Sequence, residues 1–179
     1  MNLLITAFGS FPGVEQNPTE ALLKNWDSSS VSHQVVKDYL PVEYDYCGNW
    51  TVPDNVDLVI HLGVAVKRDL FSLERCARNI SEGRDAAGVS ATGIINEHGE
   101  AVLTTTLNLD VLRDRLIKDN FDVEVSDDAG QYLCNYTYYQ SLQKITPSAN
   151  VLFVHIPPLD KIPLSIQDQF LTALVRALP

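Results

Sequence analysis

The chain has 179 residues, 45% of them hydrophobic and 20% charged, which is enough apolar material for one domain with its own core. Its 13 Lys and Arg stand against 23 Asp and Glu, a formal net charge of −10, and the sequence carries no basic patch, so neither a nucleic-acid backbone nor an anionic membrane is an expected partner. The longest apolar runs, LLITAF and VLFVHIPPL, fall well short of the roughly 20 residues of a membrane helix, and no basic leader precedes the first of them, which predicts a cytoplasmic protein.

The first predicted element is a buried strand at 3–8, followed by a helix over 17–25. Asn17 can cap that helix, Pro18 suits its first position, and Glu20 stands three residues after the cap. After a loop at Asp27-Ser28-Ser29-Ser30, β-branched and aromatic runs predict strands at 34–42 and 56–62. The segment 81–104 is glycine-rich and weakly periodic, and reads as a long loop of the kind that often carries function. Leu109, Leu112 and Leu116 recur on one face of a helix over 108–118, and a strand follows at 121–125. The turn SDDAGQYL leads into the helical run NYTYYQSLQKI, then a strand at 150–156 is stopped by Pro157-Pro158. Ile166, Phe170, Leu171, Leu174 and Val175 define a last helix over 165–178. Alternation of strand and helix predicts an α/β fold: a three-layer αβα sandwich around a mostly parallel, mixed sheet, in a single domain over 1–179.

Ligands of open α/β sheets sit beyond the C-terminal strand ends, so reactive side chains there come first. His155 closes the strand 150–156, and Cys134 lies close to a helix N-terminus, where unpaired N–H groups favour a thiolate. Together they form a candidate nucleophile and base, with Glu74 in SLERCARN as an acid that could orient the histidine. Free cysteines are also commonly inert and buried, and a glutamate flanked by arginines is commonly solvated, so the residue types alone leave both readings open. The remaining cysteines, Cys47 and Cys76, show no activation signal, and the scattered His33, His61, His98 and His155 lack the spacing of a metal site.

Four segments carry a resemblance: TAFGSFPGVEQNPT (6–19), HLGVAVKRDLFSLERCARN (61–79), SDDAGQYLCNYTYYQSL (126–142) and FVHIPPL (153–159). In the same order they resemble the motifs of the pyroglutamyl peptidase I family, cysteine peptidases that remove an N-terminal pyroglutamate, and they cover about a third of the chain. The resemblance implies Cys134 as nucleophile, His155 as base, Glu74 as the orienting acid, Phe8 and Phe11 as walls of the pyroglutamate pocket, and Arg84 as a basic residue near the reacting carbonyl. It implies acyl transfer through a thioester on small peptide substrates, with no metal or organic cofactor, and leaves the oligomeric state open. The chain departs from the usual family wording at Ala7, Ser10 and Pro12, and at Val64-Ala65-Val66-Lys67, where bacterial members carry a glutamine and paired glycines and animal-type members match better. These departures fall at the pocket, so a non-catalytic or altered-specificity member that binds blocked peptide N-termini is the alternative.

Overall fold

The computed structural model describes residues 1–10, 17–147 and 149–178. The chain runs β1 (Asn2–Phe8), α1 (Pro18–Asn25), β2 (Gln34–Leu40), α2 (Tyr44–Asn49), β3 (Leu58–Val64), β4 (Phe71–Glu74), β5 (Cys76–Arg78), β6 (Ser81–Arg84), β7 (Ser90–Gly93), β8 (Val102–Thr104), α3 (Leu109–Lys118), β9 (Val123–Ser126), α4 (Leu133–Lys144), β10 (Asn150–Ile156) and α5 (Leu164–Ala177). The main sheet among the described residues has six strands in the order β2-β1-β3-β10-β4-β9. Every pairing in it is parallel except β10 with β4, so β4 and β9 run against the other four. This is the mixed, mostly parallel α/β architecture that the alternation of elements predicts.

The period of two along each strand sorts side chains onto two faces. Leu3, Ile5 and Ala7 of β1, Leu58, Ile60 and Leu62 of β3, and Leu152, Val154 and Ile156 of β10 pack with α1, α3 and α5 in one apolar cluster. Within it the Phe71 and Phe170 rings stack with centroids 3.7 Å apart, joining β4 to α5. Leu4, Phe8, Val59, Val151 and Phe153 face the other way and pack with Tyr44 and Cys47 of α2 and Leu133, Tyr138 and Tyr139 of α4. Burying each such large side chain is worth about 1.5–3 kcal/mol. By the same parity Glu74 and His155 share the α4 face, so the sheet aims both at the helix that carries Cys134.

Asn17 caps α1 as expected, accepting from the Thr19 N–H at 3.1 Å, and its amide donates to the Gly9 carbonyl at 3.0 Å. The segment 81–104 is not the long loop its composition predicts. It folds as a β6–β7 hairpin and as β8, which pairs antiparallel with β5. Its strands are short and half-exposed, held by ladder hydrogen bonds where side chains give little periodic signal; Gly88 in the connecting turn and Gly83 within β6 take positive φ of 90° and 124°. β4 lies outside the strands predicted from sequence: four residues, FSLE, present too short a pattern. Among the described residues no helix is long and apolar enough to cross a membrane.

Candidate active site

His155 is the penultimate residue of β10, 5% exposed, and its Nδ1 lies 2.6 Å from Oε1 of the fully buried Glu74. A carboxylate can only accept, so the contact places the imidazole proton on Nδ1 and leaves Nε2 as the basic nitrogen. Antiparallel pairing makes this possible: Phe153 stands opposite Glu74 and His155 opposite Ser72, so two neighbouring strands bring acid and histidine together across 81 residues of sequence.

Cys134 is the second residue of α4. Tyr132 precedes the helix as its cap and its side chain makes no capping hydrogen bond, so first-turn N–H groups, including that of Cys134, are left for another acceptor. Asn135 ties this turn to the end of β5 and the residues after it, accepting from the Arg78 N–H at 2.8 Å and donating to the carbonyls of Arg78 and Ile80 at 2.9 and 2.8 Å. Tyr138, one turn on, donates from its hydroxyl to the Glu74 carbonyl at 2.9 Å. On the sheet, Gly63 is the ladder partner of His155, and a Cβ there would stand 3.1 Å from the Cys134 sulfur. The missing side chain therefore makes room for the thiol beside the histidine.

The helix start does not make Cys134 acidic. Burial foremost, then the Glu74 carboxylate and Cys47, push its thiol up to about 12, against the pull of its own N–H and of Arg68. The partial charge of one helix end is worth about 0.3–1 kcal/mol, too little to offset burial beside a carboxylate.

Cys134 and His155 line one cleft of about 490 Å³, together with Val64, Ala65, Arg68, Ala129, Gly130 and Tyr132. A narrower, mainly apolar pocket of about 60 Å³ adjoins it, bounded by Phe8, Asn17, Val42, Val64, Tyr132, Leu133 and Cys134. Phe8 thus stands on the pocket wall beside Cys134, while Phe11 lies outside the described residues. Arg84 is not among the residues lining either cavity. Its guanidinium donates to the Gly88 carbonyl at 3.1 Å, and its own carbonyl accepts from the Tyr132 hydroxyl at 2.9 Å.

Arg68, Tyr132 and Asn135 are neighbours of the reactive residues that residue-by-residue reading of the sequence does not single out. Arg68 sits in a charged turn, VKRD, that reads as solvated, yet its Nη1 lies 2.7 Å from Glu74 Oε1. His61, by contrast, is remote from the cleft's chemistry. It is fully buried between hydroxyls, Thr6 Oγ1 at 2.7 Å from Nδ1 and Ser141 Oγ at 2.9 Å from Nε2, and burial pulls it down to about 3.

The sequence profile described as pyroglutamyl peptidase matches residues 1–173. The chain belongs to the pyroglutamyl peptidase family. It is 30% identical over 199 aligned residues to the pyrrolidone-carboxylate peptidase of Levilactobacillus brevis, covering 99% of this chain and 97% of that one. It is also 30% identical to pyrrolidone-carboxylate peptidase 1 of Caldanaerobacter subterraneus subsp. tengcongensis, covering 89% and 83%. Among solved structures, the pyrrolidone carboxyl peptidase of Thermus thermophilus superposes with a TM-score of 0.88 at 27% identity, over 98% of this chain and 100% of that one. Family membership makes the chain a pyroglutamyl-peptidase I type hydrolase, a cysteine peptidase.

Proposed function

We propose that this peptidase releases pyroglutamate from the N-terminus of small peptides, with Cys134 as nucleophile, His155 as general base and acid, and Glu74 as the residue that orients His155. The observation that carries these roles is the 2.6 Å contact of Glu74 with His155 Nδ1 at the edge of a cleft that Cys134 also lines.

The resting thiol keeps its proton, because burial holds it far above neutrality. Proton transfer to His155 Nε2 therefore accompanies attack of the sulfur on the carbonyl carbon that follows the pyroglutamyl ring. The resulting imidazolium is stabilised by Glu74, and the oxyanion meets first-turn N–H groups of α4 such as that of Cys134. His155 then passes its proton to the leaving amine as the C–N bond breaks, which leaves a thioester on Cys134. Water, deprotonated by His155, attacks the thioester; the C–S bond breaks, pyroglutamate departs and the thiol regains its proton. Phe8, Val64 and Tyr132 give the lactam ring apolar walls, and no step requires a metal or organic cofactor.

The test is hydrolysis of a pyroglutamyl coumarin amide by the wild-type protein and by Cys134→Ala. Release of coumarin and free pyroglutamate by the first only, with a pyroglutamyl adduct on Cys134 on acid quench, is the expected result. Turnover that survives in Cys134→Ala at more than about a tenth of wild type rules out the thioester route.

A further inference from the structure

Arg68 lies in the turn between β3 and β4, where it lines the cleft, and its guanidinium touches several segments at once. Nη1 is 2.7 Å from Glu74 Oε1, the same oxygen that His155 Nδ1 approaches at 2.6 Å. Nη2 donates to Ser126 Oγ at 3.2 Å and to the Asp128 carbonyl at 2.5 Å. Ser126 ends β9, and Asp128 belongs to the loop that leads into α4 and Cys134. Glu74 is 0% exposed and Arg68 23%, so the ion pair lies largely out of water. Neither Glu74 Oε2 nor Arg68 Nη1 has a hydrogen-bond partner among the described residues, so Arg68 answers the buried carboxylate as an ion pair at Oε1 while His155 Nδ1 makes the hydrogen bond there.

We propose that Arg68 is a positioning residue for the Cys134–His155–Glu74 unit: it holds the Glu74 carboxylate aimed at His155, and through Ser126 and Asp128 it fixes the loop that presents Cys134. The inference rests on the peptidase reading above and adds to it a residue that acts through two others. A guanidinium suits the task because its planar fork can engage a carboxylate with one nitrogen and a loop with the other, which an ammonium on a flexible stem cannot do from one place. Charge works in the same direction, since Arg68 opposes the burial that raises the Cys134 thiol. The other titratable and charged groups around the unit include Glu124 of β9, 3.7 Å from Arg68 and held by Ser72 Oγ at 2.8 Å, Tyr44 and Cys47 of α2, Cys76 of β5, Tyr138 of α4, and Lys67, Asp128 and Tyr132 on the cleft.

Arg68→Gln and Arg68→Lys test the assignment through kcat and KM for the coumarin amide, together with the pH dependence of Cys134 alkylation by iodoacetamide, mapped by mass spectrometry. Arg68→Gln is expected to lower kcat by about 10- to 100-fold, the loss typical of removing an outer partner of an active-site ligand, with KM moved less than about twofold. It should also shift the alkylation curve to higher pH, because a cation that favours the thiolate is gone. Arg68→Lys keeps the charge without the fork, so its alkylation curve stays near wild type while kcat remains reduced. A wild-type kcat or a wild-type alkylation curve in folded Arg68→Gln overturns the proposal, as does a loss confined to KM. If Arg68→Gln does not fold, Arg68→Lys decides: reduced kcat with an unshifted curve supports the assignment, and unchanged kcat overturns it. A wild-type protein that releases no pyroglutamate defeats the peptidase reading alone, since alkylation still measures the coupling of Arg68 to Cys134.

Discussion

Gly63 faces His155 across the β3–β10 ladder, and the space its hydrogen leaves is taken up by the Cys134 sulfur on one side and the Phe153 ring on the other. A methyl group there would sit 2.7 Å from Phe153 Cζ and 3.1 Å from Cys134 Sγ. Gly63→Ala is therefore expected to displace the sulfur from the histidine, lowering kcat by more than about tenfold and stability by about 1–3 kcal/mol. Urea unfolding measured beside kinetics separates the two effects. Full activity in Gly63→Ala would mean that the sulfur and histidine are not constrained by this contact.

His155→Ala and Cys134→Ala should each abolish nearly all turnover, and the double variant should be no worse than either single one, since members of a catalytic unit fail together. Glu74→Gln keeps the shape and loses the charge that stabilises imidazolium, with an expected fall in kcat of up to about 10⁴-fold. Additive losses in the double variant would show that the two residues work in separate steps.

Alkylation distinguishes a thiol activated by His155 from one that titrates alone. Burial raises the Cys47 thiol to about 11 and Cys134 to about 12, while the more exposed Cys76 is raised in the same direction. If His155 accepts the proton, iodoacetamide should label Cys134 first, and His155→Ala should reduce that rate below the rate of Cys76. Labelling of Cys76 ahead of Cys134 in the wild-type protein would contradict assistance by the imidazole.

The buried His61 gives a prediction about acid stability. Its imidazole takes a proton near pH 6.5 when unfolded but only near pH 3 when folded, because burial excludes the charged form. Between those values the unfolded chain binds more protons, so stability is lost as pH falls, with a slope from this group approaching about 1.4 kcal/mol per pH unit. Urea melts from pH 7 to 4 should show a shallower slope for His61→Gln than for wild type. Equal slopes would place the acid sensitivity elsewhere.

Substrate choice tests the pocket beside Cys134. Pyroglutamate is a neutral lactam, whereas N-terminal proline has the same ring size, lacks the carbonyl and carries a charged amine. Moving that charge against Phe8 and Val64 without a partner is costly. Selection by hydrogen bonds can reach roughly 10⁴-fold, against about 10–200-fold from apolar shape. Strong preference for pyroglutamyl over prolyl coumarin amides is expected, and Phe8→Ala should lower kcat/KM for the former while its thermal melt stays cooperative. Comparable kcat/KM for the two amides would leave only a general thiol-dependent amidase.

The layers and the long elements were legible because their signals are local. Leu109, Leu112 and Leu116, or the cap at Asn17, specify a helix within a few residues. The strand NVLFVHI and its end at Pro157-Pro158 are likewise local signals, although a strand buried on both faces does not say which layer His155 meets. What stayed hidden depends on pairing between distant segments. The sequence predicts a mixed sheet without saying which strands reverse, and placing Cys134 and His155 at one edge through strand ends misses that β9 runs opposite to β10, so that the loop 127–132 and the start of α4 carry the cysteine over the sheet to Gly63. Arg68 was invisible for the same reason: an arginine in a charged turn gains meaning only when β4 and β9 bring Glu74, Ser126 and Asp128 around it. The raised Cys134 thiol likewise comes from tertiary burial, which a position at a helix start does not reveal.

The reversal of β4 against β10 also bears on how the protein comes into being. Glu74 reaches His155 only if β4 docks in one register, because a slip by one residue would turn the carboxylate toward the opposite layer. The first three strands of the chain contain none of Glu74, Cys134 and His155, and the histidine arrives last, on β10. A partly made or partly folded chain thus lacks the assembled site, and the proposed chemistry becomes possible only with completion of the sheet.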